Sequence, residues 1–441
     1  MTLRTIGALV VVVLLAAVAC TGGPSATTAP SRAPSTGAPS TGAPAGTDAP
    51  ATAGAAGSVT IAAGEPILIG TLLVITTADA DLGLDSQAGA IVAAKLHGDV
   101  LGHEIEFNHQ DDLCSSEGGT AGARALVAEP QIVAIIGTSC SSAGVPASQI
   151  ATDANVLMVS SSNTAPSLTA EGRTNTFYAR TAHNDEVQGA AMAQFAREVL
   201  NVTTAASVHD GSPYSEQLQQ VFRDEFEAAG GTLAGDAQAV APTDTDFRTV
   251  LETIAASDPE LIYYPIFTAG GALMTQQARE NPDLAEVDLA GADGMQSATF
   301  LDAAGEAAVG LYASGPDLNF AGDFYQSEFL PAYEEETGSA TPLSVFHAHA
   351  YDAMNMLIQA IEEVAVENAD GSLTIDRQAL RDRFFAFEGY EGLTGNLTCD
   401  ENGDCADPKI SVSEVATVSE VGADNCGAVA GDVCFNRIWP E

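Results

Sequence analysis

The chain has 441 residues, which is long enough for two domains that each bury a hydrophobic core. Aspartate and glutamate (59) far outnumber lysine and arginine (15), so the formal net charge is −44. This charge argues against binding to nucleic acid and against adsorption to anionic membrane surfaces.

The first residues have the pattern of an export signal rather than of a folded domain. Arg4 supplies a positive charge, and residues 6–18 form an apolar run that is too short and too one-sided for a permanent membrane span. The small residues before Cys20 resemble the bacterial motif whose cysteine becomes the lipidated first residue. We therefore expect residues 1–19 to be a signal peptide and Cys20 to carry a lipid. An ordinary cleaved signal with an incidental cysteine is the alternative.

Residues 20–60 are predicted to form the lipidated start and a tether. From residue 21 to about residue 57 the chain consists of Ala, Thr, Pro, Ser and Gly with almost no charge. Such a segment cannot bury a hydrophobic core and should stay extended. A lipid followed by a tether would hold a globular module just outside a membrane. We therefore expect an extracytoplasmic protein whose only membrane contact is its N-terminal lipid.

Strand-like and helix-like segments alternate after the tether. The first series consists of strands 67–73, 104–108, 132–136 and 156–159, separated by helices 83–96, 119–128 and a third helix that ends at residue 154. A second series begins at residue 205, and the helices 322–337, 344–368 and 377–387 precede a tail with four cysteines. This alternation predicts parallel βαβ units and an α/β fold. A chain that returns to its first domain would explain the late helices.

Two hydroxyl-rich loops follow neighbouring predicted strands. Residues 137–142 follow strand 132–136, and residues 160–166 follow strand 156–159. Loops at the carboxyl ends of parallel strands bind ligands in open α/β sheets. Free backbone N–H groups at a helix start also suit an anion. We expect these loops to hold a small solute that carries a carboxylate.

Apart from Cys20, the chain has six cysteines, and an even number in an exported protein suggests disulfides. Their spacings favour three local bridges among Cys114, Cys140, Cys399, Cys405, Cys426 and Cys434. A metal site is not expected, because no Cys-x-x-Cys pair is present. No nucleophile-elbow, Walker or dinucleotide-binding motif occurs either, so the sequence predicts neither an enzyme nor a cofactor.

Short motifs between residues 65 and 408 occur in a specific order, among them Asp111-Asp112-Leu113-Cys114, Gly137-Thr138-Ser139-Cys140-Ser141-Ser142, Asn163-Thr164-Ala165-Pro166, Arg180-Thr181, Val208-His209-Asp210 and Gly291-Ala292-Asp293-Gly294. In this order they resemble the type I periplasmic solute-binding proteins of ABC importers, in the leucine/isoleucine/valine-binding (branched-chain amino acid) branch. The resemblance implies two Rossmann-like lobes joined by three hinge crossovers, near residues 180–181, 314–316 and 389–392. We accordingly expect lobe 1 to comprise residues 61–181 and 316–391, and lobe 2 residues 182–315 and 392–441.

The resemblance also implies a disulfide between Cys114 and Cys140. The four tail cysteines lie outside the family pattern. We favour Cys399 with Cys405, around a turn, and Cys426 with Cys434. The sequence alone leaves the crossed pairings open.

The resemblance implies a site for a zwitterionic amino acid. In lobe 1, Ser141 would bind the carboxylate, and Ser162 and Thr164 would hold both charged ends. The alternative for each is a role as a helix N-cap. In lobe 2, Asp293 would meet the ammonium group, although it is one methylene shorter than the common Glu of the family. The alternative for Asp293 is an exposed turn residue.

Two aromatic residues complete the predicted site. Tyr214 matches a pocket aromatic of lobe 2, and Phe267 stands where the family usually has Tyr. A core position is the alternative for Phe267. The loop 76–82 replaces a Ser-Gly-Pro sequence of the family, and we expect this loop and lobe 2 to select the ligand side chain.

These observations predict a monomeric extracytoplasmic lipoprotein that captures a small amino acid or amide-like solute. It would deliver the solute to ABC permease subunits after hinge closure of its two lobes, without covalent chemistry. The alternative is a sensory lipoprotein that uses the same cleft to signal to a receptor. A hydrolase is disfavoured because no acid/base pair is evident.

Overall fold

A parallel sheet of five strands forms the first lobe. The computed structural model describes residues 57–440, except for the side chain of residue 424. The first elements are β1 (Ser58–Ile61), β2 (Ile67–Leu73), α1 (Ala80–His97), β3 (Ile105–Asp111), α2 (Ser116–Val127), β4 (Ile132–Gly137), α3 (Ser141–Asp153), β5 (Leu157–Ser160) and β6 (Tyr178–Arg180). The sheet order is β3-β2-β4-β5-β6, and every neighbouring pair is parallel. Strand β4 is buried at every residue, as expected for a parallel strand covered on both faces.

The second lobe repeats this architecture. Its elements are α4 (Asp185–Glu198), β7 (Thr204–His209), α5 (Pro213–Ala228), β8 (Thr232–Leu233), β9 (Gln238–Ala239), α6 (Arg248–Ala255), β10 (Leu261–Tyr263), α7 (Thr268–Glu280), β11 (Asp288–Ala292), α8 (Ala298–Ala304) and β12 (Leu311–Pro316). Helix α5 buries Leu218, Phe222 and Phe226, which recur every four residues and therefore lie on one face. The predicted two-lobed α/β fold is thereby confirmed.

The late helices return to the first lobe. The chain continues with α9 (Leu330–Thr337), α10 (His347–Val364), β13 (Val366–Glu367), β14 (Leu373–Asp376), α11 (Arg377–Phe385), β15 (Tyr390–Glu391) and β16 (Asn396–Leu397). Met354, Leu357 and Ile361 of α10 are buried in one core with Ile69 of β2 and Val133 of β4. Their spacing of three and four residues gives α10 the apolar stripe that this packing requires.

The tail completes the second sheet. Its elements are β17 (Ile410–Thr417), α12 (Val418–Val421), β18 (Cys426–Ala430) and β19 (Val433–Trp439). Strand β17 pairs antiparallel with β12, and the sheet order becomes β18-β19-β17-β12-β11-β10-β7-β8, with β9 also paired to β7.

The predicted lobe boundaries stay a prediction, and two observations bear on them. Residues 58–61 form β1, which pairs antiparallel with β14, so residues 58–60 of the range 20–60 assigned to the tether belong to a sheet. Leu397 and Cys405 are buried in the core of the first lobe. We therefore propose that the third crossover lies at residues 406–409. The predicted signal peptide, Cys20 and most of the tether lie outside the described residues.

The described residues contain three disulfides, Cys114–Cys140, Cys399–Cys405 and Cys426–Cys434, which are the pairing implied by the resemblance and the two favoured for the tail. Within residues 57–440, no helix combines the length and the apolar composition needed to cross a bilayer. The same part of the chain contains no cluster of three or more side chains suited to holding a metal ion.

Candidate functional site

A small cavity lies between the two lobes. Lobe 1 contributes Leu82, Ser139, Cys140, Ser141 and Ser162 to its lining, and lobe 2 contributes Tyr214, Phe267 and Asp293. Five of the six predicted ligand residues therefore meet there, and Thr164 is the exception. A wider groove between α6 and α7 is open to solvent and contains none of the predicted residues.

The lobe 1 side of the cavity is the N-terminus of α3. Cys140 is the N-cap residue, so Ser141 is the first residue of the helix. The side chain of Cys140 makes no capping hydrogen bond. The first backbone N–H groups of a helix have no partners within the helix and suit a carboxylate. The Ser141 Oγ accepts a hydrogen bond from the Ala165 N–H at 3.3 Å, which connects the two hydroxyl-rich loops.

Ser162 and Thr164 lie in the second of these loops, and neither is a helix N-cap. The Ser162 Oγ donates to the Ser139 carbonyl at 3.1 Å. The Thr164 Oγ1 is buried and makes no hydrogen bond within the described residues. Its backbone carbonyl accepts from the Asp185 N–H at 3.0 Å, which brings Asp185 beside the loop.

Asp293 provides a buried carboxylate on the lobe 2 side. It follows β11 directly and is 4% exposed, so the alternative of an exposed turn residue is wrong. Its Oδ1 accepts from the Gln188 Nε2 at 2.6 Å and from the Tyr214 hydroxyl at 3.0 Å. Burial raises the pKa of Asp293, while the hydrogen bonds from Gln188 and Tyr214 act in the opposite direction.

The aromatic residues of lobe 2 pack around this carboxylate. The rings of Tyr214 and Phe267 are 5.2 Å apart between centroids. A Cβ at Gly294 would lie 3.2 Å from the Phe267 ring and 3.4 Å from the Tyr214 ring, so glycine allows this close approach. Phe267 also packs against apolar residues of both lobes.

Asp185 is a second buried carboxylate, which the sequence analysis missed. Both of its carboxylate oxygens are buried without a hydrogen bond within the described residues. Burial, followed by the negative charge of Asp293, raises the pKa of Asp185 well above its ordinary value. The positive charge of the buried Arg180 opposes this shift, although its guanidinium pairs with Asp404 at 2.7 Å. In the sequence, Asp185 stands in the first turn of a helix, where an acid is ordinarily solvated. Its position shortly after the predicted crossover at Arg180-Thr181 was the signal that could have placed it near the site.

The carboxylate-binding side is braced from within lobe 1. The disulfide Cys114–Cys140 ties the N-cap residue of α3 to the loop after β3. Asp112 accepts hydrogen bonds from the backbone N–H groups of Cys114 and Ser139, each at 2.7 Å. The Ser139 Oγ in turn accepts from the Val74 N–H at 3.0 Å.

Besides the contact between Thr164 and Asp185, further hydrogen bonds join the lobes around the cavity. The Asp79 Oδ1 accepts from the Thr268 N–H at 3.2 Å, and the Asp81 Oδ2 accepts from the Thr299 N–H at 3.2 Å. Ser167 and Gln217 are joined by two hydrogen bonds, of 2.9 and 3.0 Å. Within the described loop 76–82, only Leu82 lines the cavity, whereas Asp79 and Asp81 contact lobe 2.

Comparison with known proteins identifies relatives of this chain. A family described as periplasmic binding protein matches residues 66–416. The leucine-, isoleucine-, valine-, threonine- and alanine-binding protein of Pseudomonas aeruginosa is 28% identical over 343 residues, which cover 77% of this chain and 87% of that protein.

Solved structures give the same result. The leucine-binding protein LivK of Thermotoga maritima has a TM-score of 0.71 and 25% identity, covering 84% of this chain and 97% of that one. The branched-chain amino acid transporter substrate-binding protein LivJ of Streptococcus pneumoniae, in complex with isoleucine, has a TM-score of 0.69 and 20% identity, covering 85% and 100%. These relatives are binding proteins and not enzymes.

Proposed function

Because this chain belongs to the periplasmic binding protein family, we propose that it captures a small amino acid outside the cytoplasm for an ABC importer. The relatives named for amino acid binding support this choice of solute class. The protein acts as a binding protein, and no covalent step is part of the proposal.

The proposal rests on one observation. Hydrogen-bond donors lie on one side of the cavity, and carboxylates lie on the opposite side. On the lobe 1 side, Ser141 and the N-terminus of α3 offer N–H and hydroxyl groups. On the opposite side, Asp293 offers a buried carboxylate, with Asp185 nearby. A zwitterion with its carboxylate toward α3 and its ammonium group toward Asp293 satisfies both sides.

We further propose roles for the remaining side chains. Contact between Thr164 and the ligand stays a prediction, because this buried residue lies beside Asp185 and does not line the cavity. Leu82, Tyr214 and Phe267 give the rest of the lining an apolar character. This lining suits a small aliphatic side chain, such as that of alanine, valine or leucine.

The site works by closure. The solute first binds lobe 1 through Ser141 and Ser162, and lobe 2 then brings Tyr214 and Asp293 onto it. The hydrogen bonds between Asp79 and Thr268 and between Asp81 and Thr299 form in the closed arrangement. Lipidation of Cys20 and the tether would keep the closed form near the permease.

Calorimetric titration of the purified protein with L-leucine, isoleucine, valine, threonine and alanine tests the proposal. At least one of these amino acids should bind. Asp293→Asn should weaken that binding by roughly 10- to 100-fold, because a hydrogen bond to a charged group contributes about 1.5–3 kcal/mol. Ser141→Ala should weaken it by about 3- to 10-fold, because a typical hydrogen bond contributes about 0.5–1.5 kcal/mol.

The matched control is Asp302→Asn, which removes an exposed carboxylate from α8 and should leave the affinity unchanged. Failure of all five amino acids to bind would reject the solute class. Binding that is insensitive to both Asp293→Asn and Ser141→Ala would reject the site.

A further inference from the structure

Gln188 of α4 is fully buried and connects several parts of the site. Its Nε2 is 2.6 Å from the Asp293 Oδ1, and it also lies 3.1 and 3.2 Å from the carbonyl and hydroxyl oxygens of Ser314. Its Oε1 is 2.5 Å from the His183 Nε2. One amide therefore links the carboxylate of the site to the segment after β6 and to the end of β12.

The direction of these hydrogen bonds follows from their chemistry. An ionised carboxylate only accepts hydrogen bonds, so the amide nitrogen of Gln188 must face Asp293. The amide oxygen then faces His183, which must carry a proton on Nε2. The His183 Nδ1 is buried and has no partner within the described residues, which fits a neutral ring with its proton on Nε2. Burial also lowers the pKa of His183.

This arrangement leaves one carboxylate oxygen for a ligand. The Asp293 Oδ1 accepts from both Gln188 and Tyr214, whereas Oδ2 accepts no hydrogen bond from the described residues. Asp293 itself lines the cavity. The side chain of Asp293 is one methylene shorter than the common Glu of the family. Whether its carboxylate reaches a ligand therefore depends on the orientation in which the side chain is held.

We propose that Gln188 is a positioning residue that aims Asp293 at the ammonium group of the ligand, and that His183 fixes the orientation of the Gln188 amide. This inference rests on the proposed function. The His183 ring is itself held by Phe346, which precedes α10 of lobe 1, with ring centroids 6.0 Å apart and planes 17° from parallel. The orientation of the Asp293 carboxylate therefore depends, through His183, on Phe346.

The test compares L-leucine with 4-methylpentanoate, which has the same carbon skeleton and carboxylate but no amino group. Gln188→Met in the full-length protein should weaken leucine binding by roughly 10- to 100-fold. It should change 4-methylpentanoate binding by less than about twofold, because that probe makes no contact through an ammonium group. Gln194→Met is the matched control, since Gln194 lies on the exposed face of the same helix.

A double-mutant cycle provides the second measurement. If Gln188 acts through Asp293, Gln188→Met with Asp293→Asn should bind leucine no more weakly than Asp293→Asn alone. His183→Phe keeps a ring against Phe346 and removes the Nε2 donor, so it should also weaken leucine selectively. This variant decides the question if Gln188→Met shows no cooperative melting transition.

Equal losses for leucine and 4-methylpentanoate, or additive losses in the cycle, would overturn the positioning role while leaving the amino acid site intact. If the wild-type protein binds none of the five amino acids, or if Asp293→Asn leaves the binding of the one it holds unchanged, the proposed function is wrong at this site and the positioning role is wrong with it. If the protein binds another of the five but not leucine, that amino acid and its analogue without the amino group replace leucine and 4-methylpentanoate in both measurements.

Discussion

Asp112 shows, at the scale of a residue, how a carboxylate outside the cavity shapes the site. It is fully buried and receives the backbone N–H groups of Cys114 and Ser139. Burial raises the pKa of Asp112 to about 7, although these N–H groups oppose the shift. Asp112 therefore holds the loop that precedes α3, and the free energy of burying its carboxylate depends on pH.

Asp112→Asn should change the pH dependence of stability. The pKa of Asp112 is higher in the folded than in the unfolded protein. Asp112 therefore favours folding most below about pH 4, where it is protonated in both states, and this contribution is lost as the pH rises to about 7. The free energy of unfolding of the Asn variant, relative to wild type, should therefore rise by a few kcal/mol over this window. Urea unfolding at a series of pH values measures the difference. The exposed Asp99→Asn is the control, and parallel curves for wild type and Asp112→Asn would contradict the prediction.

At the scale of elements, the predicted loop 76–82 includes the first residues of α1, because that helix begins at Ala80. Selection of the ligand side chain by this loop stays a prediction, whereas Asp79 and Asp81 accept from backbone N–H groups at the starts of α7 and α8. A carboxylate at a helix N-terminus is stabilised by the unpaired N–H groups and by the helix dipole. The loop therefore holds the lobes together, and Leu82 is its one described contribution to the cavity lining.

Asp79→Ala with Asp81→Ala should weaken the closed form. Each contact is expected to contribute about 0.3–1 kcal/mol, so leucine affinity should fall by roughly 3- to 30-fold. The loss should appear as faster dissociation, because the closed form retains the ligand. Stopped-flow displacement measures this rate. Asp99→Ala, which removes an exposed carboxylate of the same lobe, is the control, and unchanged dissociation in the double variant would contradict this role of the loop.

The whole molecule carries far more negative than positive charge. The net charge of −44 leaves most carboxylates without a basic partner, and most ion pairs of the described residues involve exposed side chains. Exposed pairs contribute little to stability, whereas self-repulsion within a compact molecule destabilises it. Salt should therefore stabilise this protein.

Raising NaCl from about 0.01 M to about 0.1 M shortens the Debye length from about 30 Å to about 10 Å. The melting temperature should rise, by about 2–4 °C for each 1 kcal/mol of repulsion that is screened. Differential scanning calorimetry measures the shift, with sorbitol at equal osmolality as the control. A constant or falling melting temperature would show that attractive surface pairs outweigh the repulsion.

Local pattern predicted much of this architecture, and its failures have physical causes. The βαβ alternation located the strands that precede Ser141 and Asp293. Asp293 follows β11 directly, and Ser141 begins α3 after the short loop that follows β4. Asp185 was missed because an acid in the first turn of a helix is ordinarily solvated. The pairing of β1 with β14 joins residues more than 300 positions apart, as in Val59 with Ile375, and no local signal specifies such a contact. The turn closed by Cys399–Cys405 likewise carries no indication of the lobe on which it packs.

The return of the chain to both lobes has a consequence for biosynthesis. The core of lobe 1 requires α10, and the second sheet requires β17 and β19 beyond β12. A nascent chain that ends before residue 347 would therefore expose apolar surface in both lobes at once. The two lobes cannot mature one after the other from the N-terminus, and truncation within the last hundred residues should damage the molecule as a whole.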